Sequence, residues 1–579
     1  MWDTTDNTAA ESLITDLEGN WAFDNAAAGH KYSIYYHHPR YYIENAKLEC
    51  EANADTVTAA AKAEQRVPLD SETSENDFRY QVLNGTYCKI TKYTGNDETV
   101  VIPGKIGGYT VQSIGSKSFS ENITLKSVVF ADSIETVETK AFQGCTELEY
   151  VGFNKGLTSI ESYAFYGCTK LKQIQLSPTV KSIGAYAFSN LSGLTEMQMS
   201  EGVLKLSNSA FSNCIALETI ELPDTITTTE ESVFSGCKNL TSVNYPKSWT
   251  TASSNGKIFY GCEALTSISV PEGVTRIPNY AFYGCSNLKS ISLPETLTAI
   301  GTAAFQSCAK LEEINIPNSV EELGVRAFWG CISLTKISLS DKITEIKEGT
   351  FSGCTGLAEV KLPNALLKIS SYAFSNCSAL KEITLPDTVT ETGEKVFSGC
   401  KKLSKANYPK NWTTAANAGG VFADCDSLTS IIIPEGVTKV PDYAFSWCNK
   451  IKIIILPESV VEIGKSAFYN CIELLKIWID KNTTVIDENA FSKCTKLTVH
   501  GIENSSAQSY AERKSIPFST EPIKLANAAL SGQIKDKSGI GTENILVSIY
   551  DKTDNIMLTE QYTDQNGEWK TDEAAAGHK

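Results

Sequence analysis

A phenylalanine returns every 23 residues through most of this chain, and that period limits the fold more than any other feature. From Phe119 to Phe491 there are 17 such motifs, and every gap is 23 residues except the two 25-residue gaps Phe234–Phe259 and Phe397–Phe422. A fixed period of this length is the mark of stacked repeats, in which each unit contacts only its neighbours. The working unit is A-F-x-G-C-x-x-L-x-x-I-x-L-P-x-x-V-T-x-I-G-x-x, and each position has a physical job. In Leu288–Leu293, Ile291 and Leu293 alternate with Ser290 and Ser292, the period of a strand with one buried face. Pro294 has no N–H to give a ladder, so it ends the strand and turns the chain. "LTAIG" offers a second short extended segment, and Phe282 is the apolar wedge of its coil. Gly, Asn or Asp stands two residues after the Phe in 13 of the 17 motifs, which predicts a left-handed corner there, as at Gly284.

The two long gaps share a segment: "YPKSWTTASSNGKIF" (245–259) matches "YPKNWTTAANAGGVF" (408–422). A block of seven coils has been duplicated, and Trp249 and Trp412 are expected on one rim, in two bulged coils.

Fifteen of the 17 cysteines fall three residues after a motif Phe; Cys50 and Cys88 do not. A metal or nucleophilic cysteine needs different residue types converging on it. Here one residue type repeats with no His beside it. The row reads as buried frame, since free Cys behaves as a small hydrophobe. Disulfides between neighbouring coils are within reach but disfavoured, because Leu191 fills the same slot without a partner.

The unit resembles the bacterial BspA-like leucine-rich repeats. The segment 80–115 looks like that family's N-terminal cap. Residues 505–518 look like its C-terminal cap, with Ser505 placed to cap a short helix. The resemblance implies a mainly β chain: a right-handed leucine-rich-repeat solenoid of about 17 coils. It implies secreted or surface-attached bacterial proteins with adhesion or host-binding roles, and no catalytic residues. The flanks carry a second pattern. Residues 2–31, "WDTTDNTAAESLITDLEGNWAFDNAAAGHK", align without gaps with 550–579, "YDKTDNIMLTEQYTDQNGEWKTDEAAAGHK". Joined to their neighbours they spell one β-sandwich, similar to carboxypeptidase regulatory-like or collagen-adhesin B-type stalk domains. The chain then reads as a piece of a longer array of alternating sandwiches and solenoids. The expected domains are 1–57, the C-terminal part of a sandwich; 58–78, a linker; 79–118, the N-terminal cap; 119–500, the solenoid; 501–520, the C-terminal cap; and 521–579, the N-terminal part of a second sandwich. Open strand edges recruit other chains, so head-to-tail self-association through the terminal half-domains is expected.

Of the five histidines, His30, His37, His38, His500 and His578, none lies between residues 79 and 499. A Ser-His-Asp or Cys-His site on the coils is therefore not available. "HHPR" (37–40), between "YSIYY" and "YYI", reads as a hairpin turn rather than a metal site. Glu313, Lys336, Glu359 and Glu382 stand eight residues after successive Phe residues and form a solvated row; a glycosidase needs two carboxyls across a cleft. No cofactor and no metal is expected. A net charge of −17 argues against nucleic acid or an anionic membrane, which need basic surface. No apolar run reaches membrane-spanning length.

The outward strand position ten residues after each Phe is polar through the middle of the run, from Gln175 to Asn407, and then becomes Ile432, Ile455 and Trp478. Ile453 points outward by alternation. These four make an apolar patch, the first candidate binding site, with Trp478 as anchor. The alternative is that the C-terminal cap or the following sandwich covers it. A second, weaker candidate is the ring set Tyr260, Tyr283 and Trp329, one residue after the Phe. The reading is a non-enzymatic extracellular scaffold, at the cell surface or secreted, that binds a host or bacterial surface protein or glycan. The alternative is a repeating unit of a long surface fibre, with the solenoid as spacer.

Overall fold

A computed structural model describes residues 73–249, 256–409, 412 and 419–523; toward the two ends it describes strands and a few adjoining residues. The fold is mainly β, a β-solenoid of about 18 turns with a repeat of about 23 residues. The turn beyond the 17 motifs precedes Phe119, where Thr99–Val101 pairs parallel with Ser127–Val129. The chain divides into two compact units, Met1–Leu311 and Glu312–Lys579.

In the first unit each coil contributes two short strands to two parallel ladders. On one ladder Gln173–Gln175, Glu196–Gln198 and Thr219–Glu221 pair residue for residue at a 23-residue step. On the other, Ser159–Ile160, Ser182–Ile183 and Lys205–Leu206 do the same. A third face is held by backbone bonds that reach the next coil. Tyr280, Phe282 and Gly284 donate their N–H groups to the carbonyls of Thr302, Ala304 and Gln306, each at 2.8 Å. Alternate residues can all donate one way because left-handed residues flank the Phe. Gly284 has φ +72° at the predicted corner, and Tyr280 has φ +57° at a second corner, two residues before the Phe. That second corner is filled by Lys140, Tyr163 and Tyr186 in earlier coils, where the left-handed backbone costs a side chain about 1–2 kcal/mol.

The Phe rings stack along the axis. Phe142 and Phe165 lie 5.1 Å apart at 2°, Phe282 and Phe305 5.4 Å apart at 4°. The first ring, Phe119, is covered by Phe78 and Tyr93, from the antiparallel strands Phe78–Leu83 and Tyr87–Tyr93. In the second unit the stack runs through Phe328, Phe351 and Phe374 at 5.5 and 5.3 Å and ends on Tyr510, edge-on to Phe491 at 5.7 Å. Tyr510 belongs to the helix Ser506–Lys514. Its hydroxyl accepts from the Phe491 N–H and donates to the Glu488 carbonyl. As expected, the Ser505 side chain caps this helix by accepting from the Gln508 N–H at 3.4 Å.

The sixteen cysteines from Cys88 to Cys494 are free and buried. The structure gives the ladder cysteines a reason beyond size. Each thiol whose bond is resolved donates to the carbonyl of the Phe in the preceding coil, as Cys285 does to Phe259 and Cys377 to Phe351, both at 3.2 Å. That carbonyl already accepts its own coil's Cys N–H, so the thiol fills its second lone pair. Cys50 has no described side chain.

Three expectations are corrected. Trp249 and Trp412 are not on a rim. They are buried, packed edge-on against Tyr245 and Tyr408 at 5.1 and 5.0 Å. The stretch 58–78 is not all linker: Lys62–Gln65 is a strand paired with Tyr41–Glu44, and Val67 is fully buried. "HHPR" contains a turn, with the Tyr41 N–H bonded to the His38 carbonyl at 3.1 Å, but it does not join a hairpin. Lys31–Tyr35 pairs with Lys47–Glu51, while Tyr41–Glu44 pairs with Lys62–Gln65. The chain crosses between two ladders there.

At the C-terminal end Ala528–Gln533 pairs with Glu568–Ala574, and Leu546–Asp551 with Ile556–Tyr562. The half-domains expected at the ends fall largely outside the described residues.

Candidate binding surface

The strand face of the second unit's last coils carries the first candidate site. Ile453–Ile455 pairs parallel with Lys476–Ile479, so Ile455 stands opposite Trp478 and Ile453 opposite Lys476. Inward neighbours Ile454, Ile477 and Ile479 are buried, which forces the alternate residues outward. Ile455 is 44% exposed and Ile432 42% exposed; Ile453 and Trp478 are half-buried.

The row continues past the predicted set. Trp478 stands opposite His500, and His500 opposite Ser519. His500 is buried, and its Nδ1 bonds to the Glu521 carbonyl at 2.8 Å, so Nδ1 carries the proton. Exposure thus rises step by step away from the helical end: His500 covered, Trp478 half covered, Ile455 and Ile432 open. The chain after the helix closes the edge of the patch and leaves its aliphatic part free of the described residues. His500 was not legible as a member, because its coil is one residue short and the ten-residue spacing misses it.

The opposite case occurs in the first unit. There the outward residues Val101 and Val129 are also apolar, and Val67 buries them with Tyr150 packed alongside. Arg66 reaches Gln173, 3.4 Å from its Oε1. His38 and Tyr41, edge-on to each other at 4.9 Å, line a small cleft with Tyr150, Gly152 and Gln175. Burial pushes the Tyr150 hydroxyl pKa up, and burial followed by the Arg40 charge lowers that of His38. An apolar strand face is therefore covered by the chain's own flank at one place.

Tyr260 and Tyr283, of the second candidate set, stack at 4.6 Å and 5°, both half-buried. Trp329 is 41% exposed and lies in the other unit. A further aromatic group was missed: Trp447 is 44% exposed and edge-on to Tyr469 at 5.9 Å, with Lys493 Nζ 5.1 Å above the Tyr469 ring. The signal was present, since Trp447 sits at the left-handed corner, φ +65°, where most coils place Gly or Asn.

Glu313, Lys336, Glu359 and Glu382 are exposed, with Lys336 directly opposite Glu359. Among the described residues no cluster of His, Cys, Asp and Glu has the makings of a metal site, and no helix is long and apolar enough to cross a membrane.

A family model described as "BspA type Leucine rich repeat region (6 copies)" matches residues 98–218, 205–335, 321–418 and 418–513. Among solved structures, a leucine-rich repeat protein from Bacteroides ovatus ATCC 8483 is 27% identical, with a TM-score of 0.50, over 63% of this chain and 95% of that one. A leucine rich cell surface protein from Faecalibacterium prausnitzii A2-165 is 23% identical, with a TM-score of 0.31, over 79% of this chain and all of that one. The pneumococcal vaccine antigen PcpA is 20% identical, with a TM-score of 0.34, over 79% and 100%. No curated protein matches the chain.

Proposed function

The chain belongs to the BspA-type leucine-rich repeat family, and on that premise we propose that it is a non-enzymatic binding scaffold, displayed outside a bacterial cell, whose ligand docks on the strand face at Ile432, Ile455 and Trp478. The observation that carries the reading is the pair of open isoleucines beside Trp478 on a face that is polar from Gln175 to Asn407. Isolated exposed apolar residues are ordinary; several on consecutive coils mark a binding surface. Branched aliphatic side chains suit apolar protein side chains better than sugar rings, which favour flat aromatic faces. A protein surface is therefore the preferred ligand, with glycan as the competing one.

The test passes the full chain over immobilised extracellular-matrix proteins, mucins and a glycan array, as wild type and as Ile455→Glu/Trp478→Ala. Because Ile455 is open and Trp478 half-open, the variant keeps its fold by circular dichroism. Binding to a protein surface is expected to fall roughly 100-fold or more, the loss typical of two central contacts. Undiminished binding by the folded variant would remove the patch from the account.

A second reading, a spacer in a surface fibre, is supported by one observation: strand pairs near the two ends of the chain share one register.

A further inference from the structure

Trp447 stands at a corner of its coil that glycine fills without strain, as Gly284 does at φ +72°. Its neighbours along that corner are Asp424 in the preceding coil and Asn470 in the next. Asp424, Trp447 and Asn470 share the left-handed backbone, at φ +61°, +65° and +60°. Backbone bonds stack the coils there: the Asp424 N–H donates to the Ser446 carbonyl at 2.7 Å, and the Trp447 N–H to the Tyr469 carbonyl at 2.8 Å. The indole is 44% exposed, so it does not serve to fill the core. It is braced all the same. Tyr469 meets it edge-on at 5.9 Å and 60°, and Lys493 in the following coil holds the Tyr469 ring, with Nζ 5.1 Å from its centre. Surface tyrosines elsewhere cover one another's faces: Tyr163 and Tyr186 stack at 4.9 Å and 9°, Tyr260 and Tyr283 at 4.6 Å and 5°. Among the described residues no ring stacks on Trp447 in that way.

The polar side chains of the same three coils form a row. Asn449 Nδ2 donates to Asp426 Oδ1 at 2.8 Å, and Asn470 Nδ2 donates to Asn449 Oδ1 at 3.5 Å. Among the described residues this leaves Asp426 Oδ2, both Asp424 carboxyl oxygens and Asn470 Oδ1 without a hydrogen bond. Asp424 and Asp426 are half-buried. Burial, and then the charge of Asp426, pushes the Asp424 carboxyl pKa up, against the pull of Lys401. A carboxylate partly out of water and short of donors is served by hydroxyl groups.

We propose that Trp447, with Asp424, Asp426, Asn449 and Asn470 in its own and the adjoining coils, is a binding site for a neutral saccharide. A sugar ring presents C–H groups on its face and hydroxyls round its rim. The C–H face suits the electron-rich face of an indole. The hydroxyls donate to the free carboxylate and amide oxygens. A few placed polar groups beside an aromatic platform are the usual build of a small-molecule site. The two carboxylates repel sialylated and sulfated sugars, which selects the neutral class. An apolar protein side chain would use the indole and leave the carboxylates unserved. The corner is a different part of the coil from the strand that carries Ile455, and the site does not rest on the isoleucine face.

The test applies the full chain to an array of neutral oligosaccharides built from glucose, galactose, mannose and N-acetylglucosamine, with sialylated and sulfated oligosaccharides as a second arm. The wild type is expected to bind in the neutral arm, and its tryptophan emission to shift as the best-retained oligosaccharide is titrated in. Trp447→Gly puts at the corner the residue that suits its backbone, so the variant folds. Its affinity is expected to fall roughly tenfold or more, the loss of a central aromatic contact, and the emission shift to vanish. Ile455→Glu is expected to stay within about threefold of the wild type. No binding of the wild type to any neutral oligosaccharide, stronger binding in the acidic arm, or wild-type binding by Trp447→Gly would overturn the proposal. A loss seen in Ile455→Glu alone would move the glycan to the strand face and overturn it too. The isoleucine face is read separately, on protein ligands, so these failures leave that reading standing.

Discussion

Raising the pH from 8 to about 10 is expected to destabilise the coil stack. Burial pushes the thiols of Cys354 and Cys400 up to about 12, against an ordinary value of 9.0. Burial also raises those of Cys168, Cys214, Cys262, Cys285, Cys377, Cys425 and Cys448. The sign follows from linkage. Below pH 9 the thiol is protonated whether the chain is folded or not, and its contribution to stability is whole. Above pH 9 the unfolded thiol ionises and the buried one does not, so stability is lost as pH rises. One pH unit beyond the ordinary value costs about 1.4 kcal/mol per thiol. Nine such groups together remove on the order of 10 kcal/mol by pH 10, a large fraction of the stability of a stack of this length. Circular dichroism against pH, in a reductant, checks this. Replacing Cys354, Cys377 and Cys400 by Leu, as at Leu191, should move the midpoint to higher pH and make the transition shallower. A chain whose fold persists unchanged to pH 11 contradicts the account.

The largest single-residue effect is expected at Phe351. Its ring is fully buried between Phe328 and Phe374, at 5.5 and 5.3 Å, nearly parallel to both. Phe351→Ala removes the ring from two stacks and leaves a cavity that rigid neighbouring coils cannot fill. Large-to-small changes of this kind cost about 3–5 kcal/mol, and each ring pair adds about 0.5–1.5 kcal/mol beyond burial. Coils contact only their neighbours, so the loss concentrates near the site. Hydrogen exchange should quicken most at the N–H groups of Phe328 and Phe351, which bond to the next coil's carbonyls of Thr350 and Ala373. Urea denaturation gives the total. A loss below about 1 kcal/mol would mean that the ring ladder is not the spine of the stack.

The repeat made most of this core legible before any coordinates, because each job recurs at one phase of the 23-residue period. Phe282, Leu288 and Ile291 are buried where the alternation put them. The left-handed corner at Gly284 was readable because Gly, Asn and Asp favour it. Its counterpart at Tyr280 was not, because Tyr, Lys and Ser occupy it and the inter-coil bonds, not the residue type, impose the backbone. The inward turn of Trp249 and Trp412 was hidden for a related reason: duplication shows that two segments fold alike, not which way they point. On the strand face, Ile432 and Ile455 point outward where the alternation put them. Trp478 is half covered because its neighbour His500 is held under the chain at Glu521, a contact no spacing announces. The buried cluster of Val67 with Val101 and Val129 joins residues that no periodicity links.

The coils' interior serves as frame, and the open isoleucine face is the proposed ligand-binding surface. The deciding measurement is the affinity of three variants of the full chain for one immobilised protein ligand. Ile455→Glu alters the proposed face, Tyr283→Ala the stacked tyrosine pair, and Glu359→Lys the charged row. A loss of roughly tenfold or more is expected for Ile455→Glu, and changes within about threefold for the other two. Equal affinities for all three, or a loss confined to Tyr283→Ala, would contradict that role for the isoleucine face.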